Sequence, residues 1–456
     1  MLNFENSNFG IGHWHSPFRI SERWLVNRKL LSGAVLATAL SWACGEPVAG
    51  PDGALRPSFA AGGVGRPSVL VNPNANDNGT AKTIQEGIDR VAAGGTVMVL
   101  PGTYNEAIVI DKGLTLEGIG GASGPVIIEQ VLSAPAASNE MAVIRVTTPE
   151  AVVVWGISVH HVGIRGLNGF ALDRTVAVDL TIERATFDGA WPFSPTAVIN
   201  TGISVVNDAA RSGGRARLIV QNSRVSPQGI GISLGGDIDA SIERNTIGGA
   251  NHGACVAVSP TGAGATVPAA GREANVDILD NTLNECGVSG PGRFAYAIGA
   301  FGAAGATTAG TVNIVGNVIR NTIRTAGDCN SVGIAYEFYS GRVEHNAITG
   351  VVQGCAAPTA SSLPAAIWVG SRRGFGPAAP VVRFNDISGN AYAGLRIGPN
   401  QTTVIDATCN WWGSASGPSG IGPGSGDAVV VESGGTPPGF VPFATAPIAA
   451  SDATSC

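Results

Sequence analysis

Glu337 and Tyr339, then Trp368 with Arg372 and Arg373, then Arg396 recur one repeat apart in the C-terminal half of the chain. An aromatic face can stack a sugar ring, and guanidinium forks can pair with a carboxylate. These six residues are the candidate binding set, read as a shallow groove on an exposed sheet face. The same arginines on a plain solvated face would serve only solubility. His160, His161 and Arg165, beside Asp173 and Arg174, form a second set in which imidazoles could carry protons near neutral pH. Asp237 with Asp239 is the tightest pair of acids, and a solvated turn accounts for it equally well. His252 and Cys255 have the spacing of half a metal site but no second pair, so no metal ligand is assigned. No residue is assigned as catalytic.

What must position these groups is a repeat. The stretch Ile242-Glu243-Arg244-Asn245-Thr246-Ile247 recurs as Val220 to Val225, Ile278 to Leu283, Ile314 to Ile319, Val343 to Ile348 and Val382 to Ile387. Looser copies stand at 154–159, 182–187 and 407–412. Spacings of a few tens of residues mark a solenoid. Each copy is short and β-branched at its apolar positions, which suits a strand. A second short strand follows in most repeats, as at Ile203-Ser204-Val205, Ile334-Ala335-Tyr336, Ile367-Trp368-Val369 and Leu395-Arg396-Ile397. Alternation sends the first and third residues inward and the middle one outward. No repeat buries its apolar stripe alone, but coils stacked at roughly 4.8 Å enclose one core. The expected fold is all-β: a single-stranded parallel β-helix of about ten coils, right-handed by the resemblance described below. Asn245, Asn281, Asn317, Asn346, Asn385 and Asn410 then fall at one turn, where a side-chain amide can bond coil to coil as a structural ladder.

Composition fits one long domain. The 456 residues include 65 glycines, with 13% charged and 44% hydrophobic. A net charge of −6 and only three lysines (Lys29, Lys82, Lys112) leave no basic stripe, which excludes nucleic acid as a partner. Arg28-Lys29, the apolar run Leu30 to Leu40 and Ser41-Trp42-Ala43-Cys44-Gly45 read as a secretion signal over 1–44, with Cys44 as a lipidation site. Translation is expected to start near Leu25 or Val26. The run is too short to span a bilayer. Residues 45–66 read as a flexible tether, 67–443 as the β-helix and 444–456 as a tail. Without Cys44, six of the seven cysteines remain to pair in an oxidising compartment. The simplest of fifteen pairings joins Cys255 to Cys286, Cys329 to Cys355 and Cys409 to Cys456.

Thr83-Ile84-Gln85-Glu86 is a capping box that opens a helix from Thr83 to about Ala92, with Ile84, Ile88 and Val91 as its apolar face. Such a helix can cover the open end of the first coil. The run TIQEGIDRVAAGGTVMVLPGTYNEAIVIDKGLTLEG, Thr83 to Gly118, resembles the N-terminal cap and first coil of the pectin lyase-like superfamily of right-handed β-helices, pectinesterase-like and periplasmic copper-associated members in particular. Thr408 to Pro418, with Asn410-Trp411-Trp412-Gly413, is similar to a closing motif of secreted bacterial β-helix proteins. Trp412 is expected to plug the last coil, with Phe440 and Phe443 over it.

The resemblance implies extracellular polysaccharide as partner. Pectinesterase-like members act through two aspartates and an arginine, and of their motifs only Gly102-Thr103-Tyr104-Asn105-Glu106 is here. The paired aspartates, G-H-G and R-I-K elements of polygalacturonase-like members are missing. Pectate-lyase-like members use calcium, the one cofactor the resemblance admits. The sequence therefore reads as an exported, lipid-anchored monomer, periplasmic or at the cell surface, that binds polysaccharide. A polyuronate-active lyase or esterase is the first alternative and a structural or adhesion role the second.

Overall fold

The computed structural model describes residues 65–77, 79–121, 124–133, 141–168, 176–190, 201–208, 212–226, 229–249, 254–259, 274–287, 295–301, 310–324, 331–354, 363–370, 377–448 and 456. All lie in the compact unit Ser58–Cys456. Expectations for Cys44, Asp173, Arg174, His252, Cys329, Cys355, Arg372 and Arg373 fall outside these residues. Among the described residues no helix is long and apolar enough to cross a membrane.

The chain winds through three parallel sheets of eleven, ten and twelve strands, visiting them in that order in every coil. One coil runs Ile238–Glu243, Thr246–Gly248, Ala254–Ser259, and the next runs Ala274–Leu279, Thr282–Asn284, Ala295–Ala300. The ten-strand sheet counts ten complete coils among the described residues, and the fold is a right-handed parallel β-helix. Register stacks like on like: Ile182, Val220, Ile242, Ile278 and Ile314 form one column, and Ile203, Ile232, Val256, Ile298, Ile334, Ile367 and Leu395 another. These columns belong to one continuous buried core. Burying such side chains is worth roughly 1.5–3 kcal/mol each, and it is available only to stacked coils.

The corner between the eleven- and ten-strand sheets takes two residues. The first adopts positive φ, as at Arg244 (52°), Asp280 (55°) and His345 (57°). The second is the repeated asparagine, which turns inward and is buried. The backbone N–H and the Nδ2 of Asn245 both donate to Asn281 Oδ1, at 2.9 and 3.0 Å. Nδ2 also reaches Val220 O at 2.9 Å, one coil back. The pattern repeats from Asn281 to Asn317, Asn346, Asn385 and Asn410. A corner that would otherwise bury unpaired amides is thereby satisfied.

The capping helix α1 spans Ile84–Arg90, shorter than expected. Thr83 is its N-cap and accepts from Glu86 N at 3.1 Å. It ends early because Val91 is already extended and pairs with Arg66 in the eleven-strand sheet. Ile84, Ile88 and Val91 are buried as the apolar face. Glu106 accepts from Ile84 N and Gln85 N at 2.7 and 3.1 Å, so the last residue of Gly102 to Glu106 caps the helix. At the other end Trp412 is fully buried, with Phe440 and Phe443 packed against the core. Disulfides join Cys255 to Cys286 and Cys409 to Cys456.

Candidate functional site

The four described residues of the C-terminal set, Glu337, Tyr339, Trp368 and Arg396, do not form an exposed groove. Trp368 and Arg396 are neighbours on the outer face of the twelve-strand sheet, since Trp368 pairs in register with Arg396. That face is buried: Trp368 is 2% exposed and Arg396 0%. Trp368 packs with Ala254, Ala257, Tyr296, Val332, Ala335, Ala365 and Ala393 in a second apolar cluster. The Arg396 guanidinium lies 3.2 Å from Glu432 and donates to Leu363 O, as a buried charge requires. Glu337 is buried beside the end of its strand. Tyr339 was expected outward and instead sits in the core at 0% exposure. The reason is local: Phe338 has φ +70°, which breaks the strand alternation between Glu337 and Tyr339. Burial drives the Tyr339 phenol well above its ordinary value.

The histidine set is also divided. His161 is buried, its Nδ1 2.7 Å from Ile164 O, and Arg165 donates to Ser204 Oγ at 3.0 Å on the twelve-strand sheet. His160 faces out from the ten-strand sheet, 3.9 Å from Asp188. Asp237 is buried at a corner, while Asp239 stands on the outer face of the eleven-strand sheet. Among the described residues no cluster of three or more His, Cys, Asp or Glu could hold a metal ion.

The open site lies on the eleven-strand sheet. Strands Ala216–Gln221, Ile238–Glu243, Ala274–Leu279 and Gly310–Val315 are paired in succession. Their outward residues fall into columns: Arg217, Asp239, Asn275 and Thr311 in one, Ile219, Ser241, Asp277 and Asn313 in the next. Together they line a groove of about 430 Å³ that crosses these four coils. Short Ser241 and Thr311 leave the hollow, and Arg217 reaches out beside it.

The groove's polar groups are fixed by one another across coils. Arg215 holds Asp239 in a fork, Nε to Oδ2 at 3.0 Å and Nη2 to Oδ1 at 2.8 Å. Asn275 Nδ2 donates to the same Oδ1 at 3.0 Å, and Asn313 Nδ2 donates to Asp277 Oδ1 at 2.8 Å. Asn313 Oδ1 in turn accepts from Arg342 N at 3.2 Å. The Arg215 fork holds the Asp239 carboxyl below the usual carboxylate range. Asp239 is thus an ionised acceptor at neutral pH and a poor proton donor. Arg217 forms no ion pair among the described residues. Its guanidinium is available to a ligand. Chemically, the groove offers fixed carboxylates and amides to hydroxyl groups and one free guanidinium to an acceptor. Sequence reasoning passed over it because the residues come from four separate repeats and match no motif. The signal present was the recurrence of short polar residues at the outward strand positions.

No family model matches the sequence, and no curated protein matches it. Solved structures similar to the chain include the Dettilon tailspike protein gp208, at 12% identity and a TM-score of 0.47 over 80% of this chain and 68% of that one. The mannuronan C-5 epimerase AlgE6 A-module of Azotobacter vinelandii is similar at 15% identity and a TM-score of 0.38, over 78% and 94%. The polygalacturonase of Erwinia carotovora is similar at 12% identity and 0.38, over 83% and 99%. With its three parallel sheets, helical cap and asparagine corner, the chain is in fold a right-handed parallel β-helix.

Proposed function

We propose that this protein binds an extended polysaccharide in the groove of the eleven-strand sheet. The observation that carries the reading is periodicity. Stacked coils present carboxylate, amide and hydroxyl groups at a repeat of roughly 4.8 Å, about the length of one pyranose ring along an extended glycan. A polymer of hydroxyl-bearing rings can therefore meet an equivalent set of partners at each coil from Arg217 to Asn313. A small-molecule site would be enclosed, and this groove is open to solvent along its length, with carboxylate, amide and hydroxyl side chains among its lining residues. Nucleic acid would face the carboxylates of Asp239 and Asp277 and a net charge of −6. The ionised state of Asp239 favours binding over acid catalysis at this face.

Retardation of the full chain in gels containing polygalacturonate, alginate or hydroxyethyl cellulose tests the proposal. At least one polymer should retard the wild type, and Arg217→Ala or Asp277→Ala should weaken that retardation about tenfold, the loss of roughly 1.4 kcal/mol. Retardation unchanged in both variants would rule the groove out.

The proposal includes export and lipid anchoring. Arg28-Lys29, the apolar run to Leu40 and the small residues before Cys44 support it, and the two disulfides suit an oxidising compartment. Mass spectrometry of the mature N-terminus checks it, and an unmodified Cys44 in the cell-associated protein would contradict the anchor.

A further inference from the structure

At the corner beside the groove, the residues that precede the buried asparagines stand one above another. Leu279, Val315, Glu344 and Arg383 pair in register before them, and Thr282, Val318, Ala347 and Asp386 after them. Of the residues between those two sets, Asp280, Gly316, His345 and Phe384 all adopt positive φ. Glycine takes this conformation freely, and asparagine or aspartate takes it at small cost because their short side chains bond locally. Gly156, Asn222, Asp280 and Gly316 follow that preference. Arg184 (52°), Arg244 (52°), Cys409 (61°), His345 (57°) and Phe384 (55°) do not, and of these only the adjacent His345 and Phe384 carry rings, which are costly at positive φ.

The two rings are stacked, with centroids 5.4 Å apart and planes 11° from parallel, and both are half-buried. His345 Nδ1 is buried without a hydrogen-bond partner. The coil on the other side of His345 contributes Gly316, which leaves the histidine face without a neighbouring side chain. Across that glycine stands Asp280, whose Oδ1 lies 2.1 Å from where a Gly316 Cβ would be. Its carboxylate therefore leans over the glycine toward the same space. The flanking charges are already engaged, Arg383 by Asp406 and Glu344 by Arg342.

We infer that Asp280, His345 and Phe384 form a subsite for one neutral pyranose ring. The ring's CH face stacks on the open imidazole face, which Phe384 backs from the other side, and its hydroxyls donate to the Asp280 carboxylate. A uronate carboxylate at this point would face Asp280 directly, so the site selects an uncharged sugar. This inference rests on the polysaccharide reading and specifies its ligand.

The test uses the full chain, with His345→Asn and Phe384→Asn, and hydroxyethyl cellulose as the neutral probe beside polygalacturonate and alginate. Asparagine relaxes the strained corner, so neither variant should melt below the wild type, while retardation by hydroxyethyl cellulose should weaken tenfold or more. A role confined to structure would instead lower the melting temperature and leave retardation unchanged. Wild-type strength toward hydroxyethyl cellulose in both variants would overturn the subsite while leaving the groove standing. Retardation of the wild type by the acidic gels alone would also overturn it. A wild type retarded by none of the three would remove both the subsite and the polysaccharide reading.

Discussion

Replacing Asn317 with alanine should destabilise the solenoid by about 3–5 kcal/mol. Asn317 Oδ1 accepts from the backbone N–H and the Nδ2 of Asn281, at 2.9 and 3.0 Å. Its own Nδ2 donates to Ile278 O, Val315 O and Asn346 Oδ1, at 2.8, 3.1 and 3.0 Å. The truncation therefore leaves the Asn281 N–H and Ile278 O buried and unpaired. Each orphaned buried group costs about 1–3 kcal/mol, and the lost packing adds a smaller amount. Serine should cost less, because one coil already runs on a serine at this corner: Ser223 Oγ accepts from Ala185 N at 3.1 Å. The expected order of stability is wild type, Asn317→Ser, Asn317→Ala. Guanidinium unfolding followed by tryptophan fluorescence measures it, and hydrogen exchange should place the loss in the coils on either side of residue 317. A cost below about 1 kcal/mol for alanine, or serine no better than alanine, would refute the claim that the ladder satisfies the corner.

Other outcomes follow from the same contacts. Glu106→Ala should cost about 1–2 kcal/mol by freeing the first amides of α1, visible as faster exchange at Ile84 and Gln85. The exposed Cys456 ties the chain end to Cys409 across 47 residues, so Cys456→Ser should lower stability by at most about 4 kcal/mol by loop entropy. Mild reductant should open that bond before the buried Cys255–Cys286 bond. Burial raises the Asp427 carboxyl. Its contribution to stability is present below its ordinary value and lost as pH rises through the raised folded value. Asp239 is lowered by Arg215, so its contribution is present above the ordinary value and lost as pH falls through the folded one. Carboxyl titration by NMR should find Asp427 above and Asp239 below the common range, and Arg215→Ala should return Asp239 toward it. Because Arg215 and Asp239 are partly exposed, that variant should cost under about 1 kcal/mol.

The winding of the chain is readable in Ile242 to Ile247 and its copies because three constraints coincide there: two inward apolar positions and one inward amide. An apolar residue at Asn281 or Asn317 would leave backbone groups unpaired. The capping helix was readable in Thr83 to Glu86, while its early end was not, since Val91 is claimed by a strand 25 residues upstream. The binding face was misread for two reasons. Alternation was carried through Phe338, whose positive φ turns Tyr339 inward. Trp368 and Arg396 were placed on an outer face without regard to a second apolar layer, which Ala335, Ala365 and Ala393 foreshadow by their size. The groove escaped notice because Asp239, Asn275, Asp277 and Asn313 meet only after the coils stack.

Calorimetric titration of the full chain with oligosaccharides of defined length, neutral and acidic, would test the groove most directly. Four strands line it, so affinity should climb with each added sugar to about four and then level off, and Asp277→Ala should lower the plateau. Affinity independent of length, or no heat with any series, would contradict a polysaccharide groove on the eleven-strand sheet.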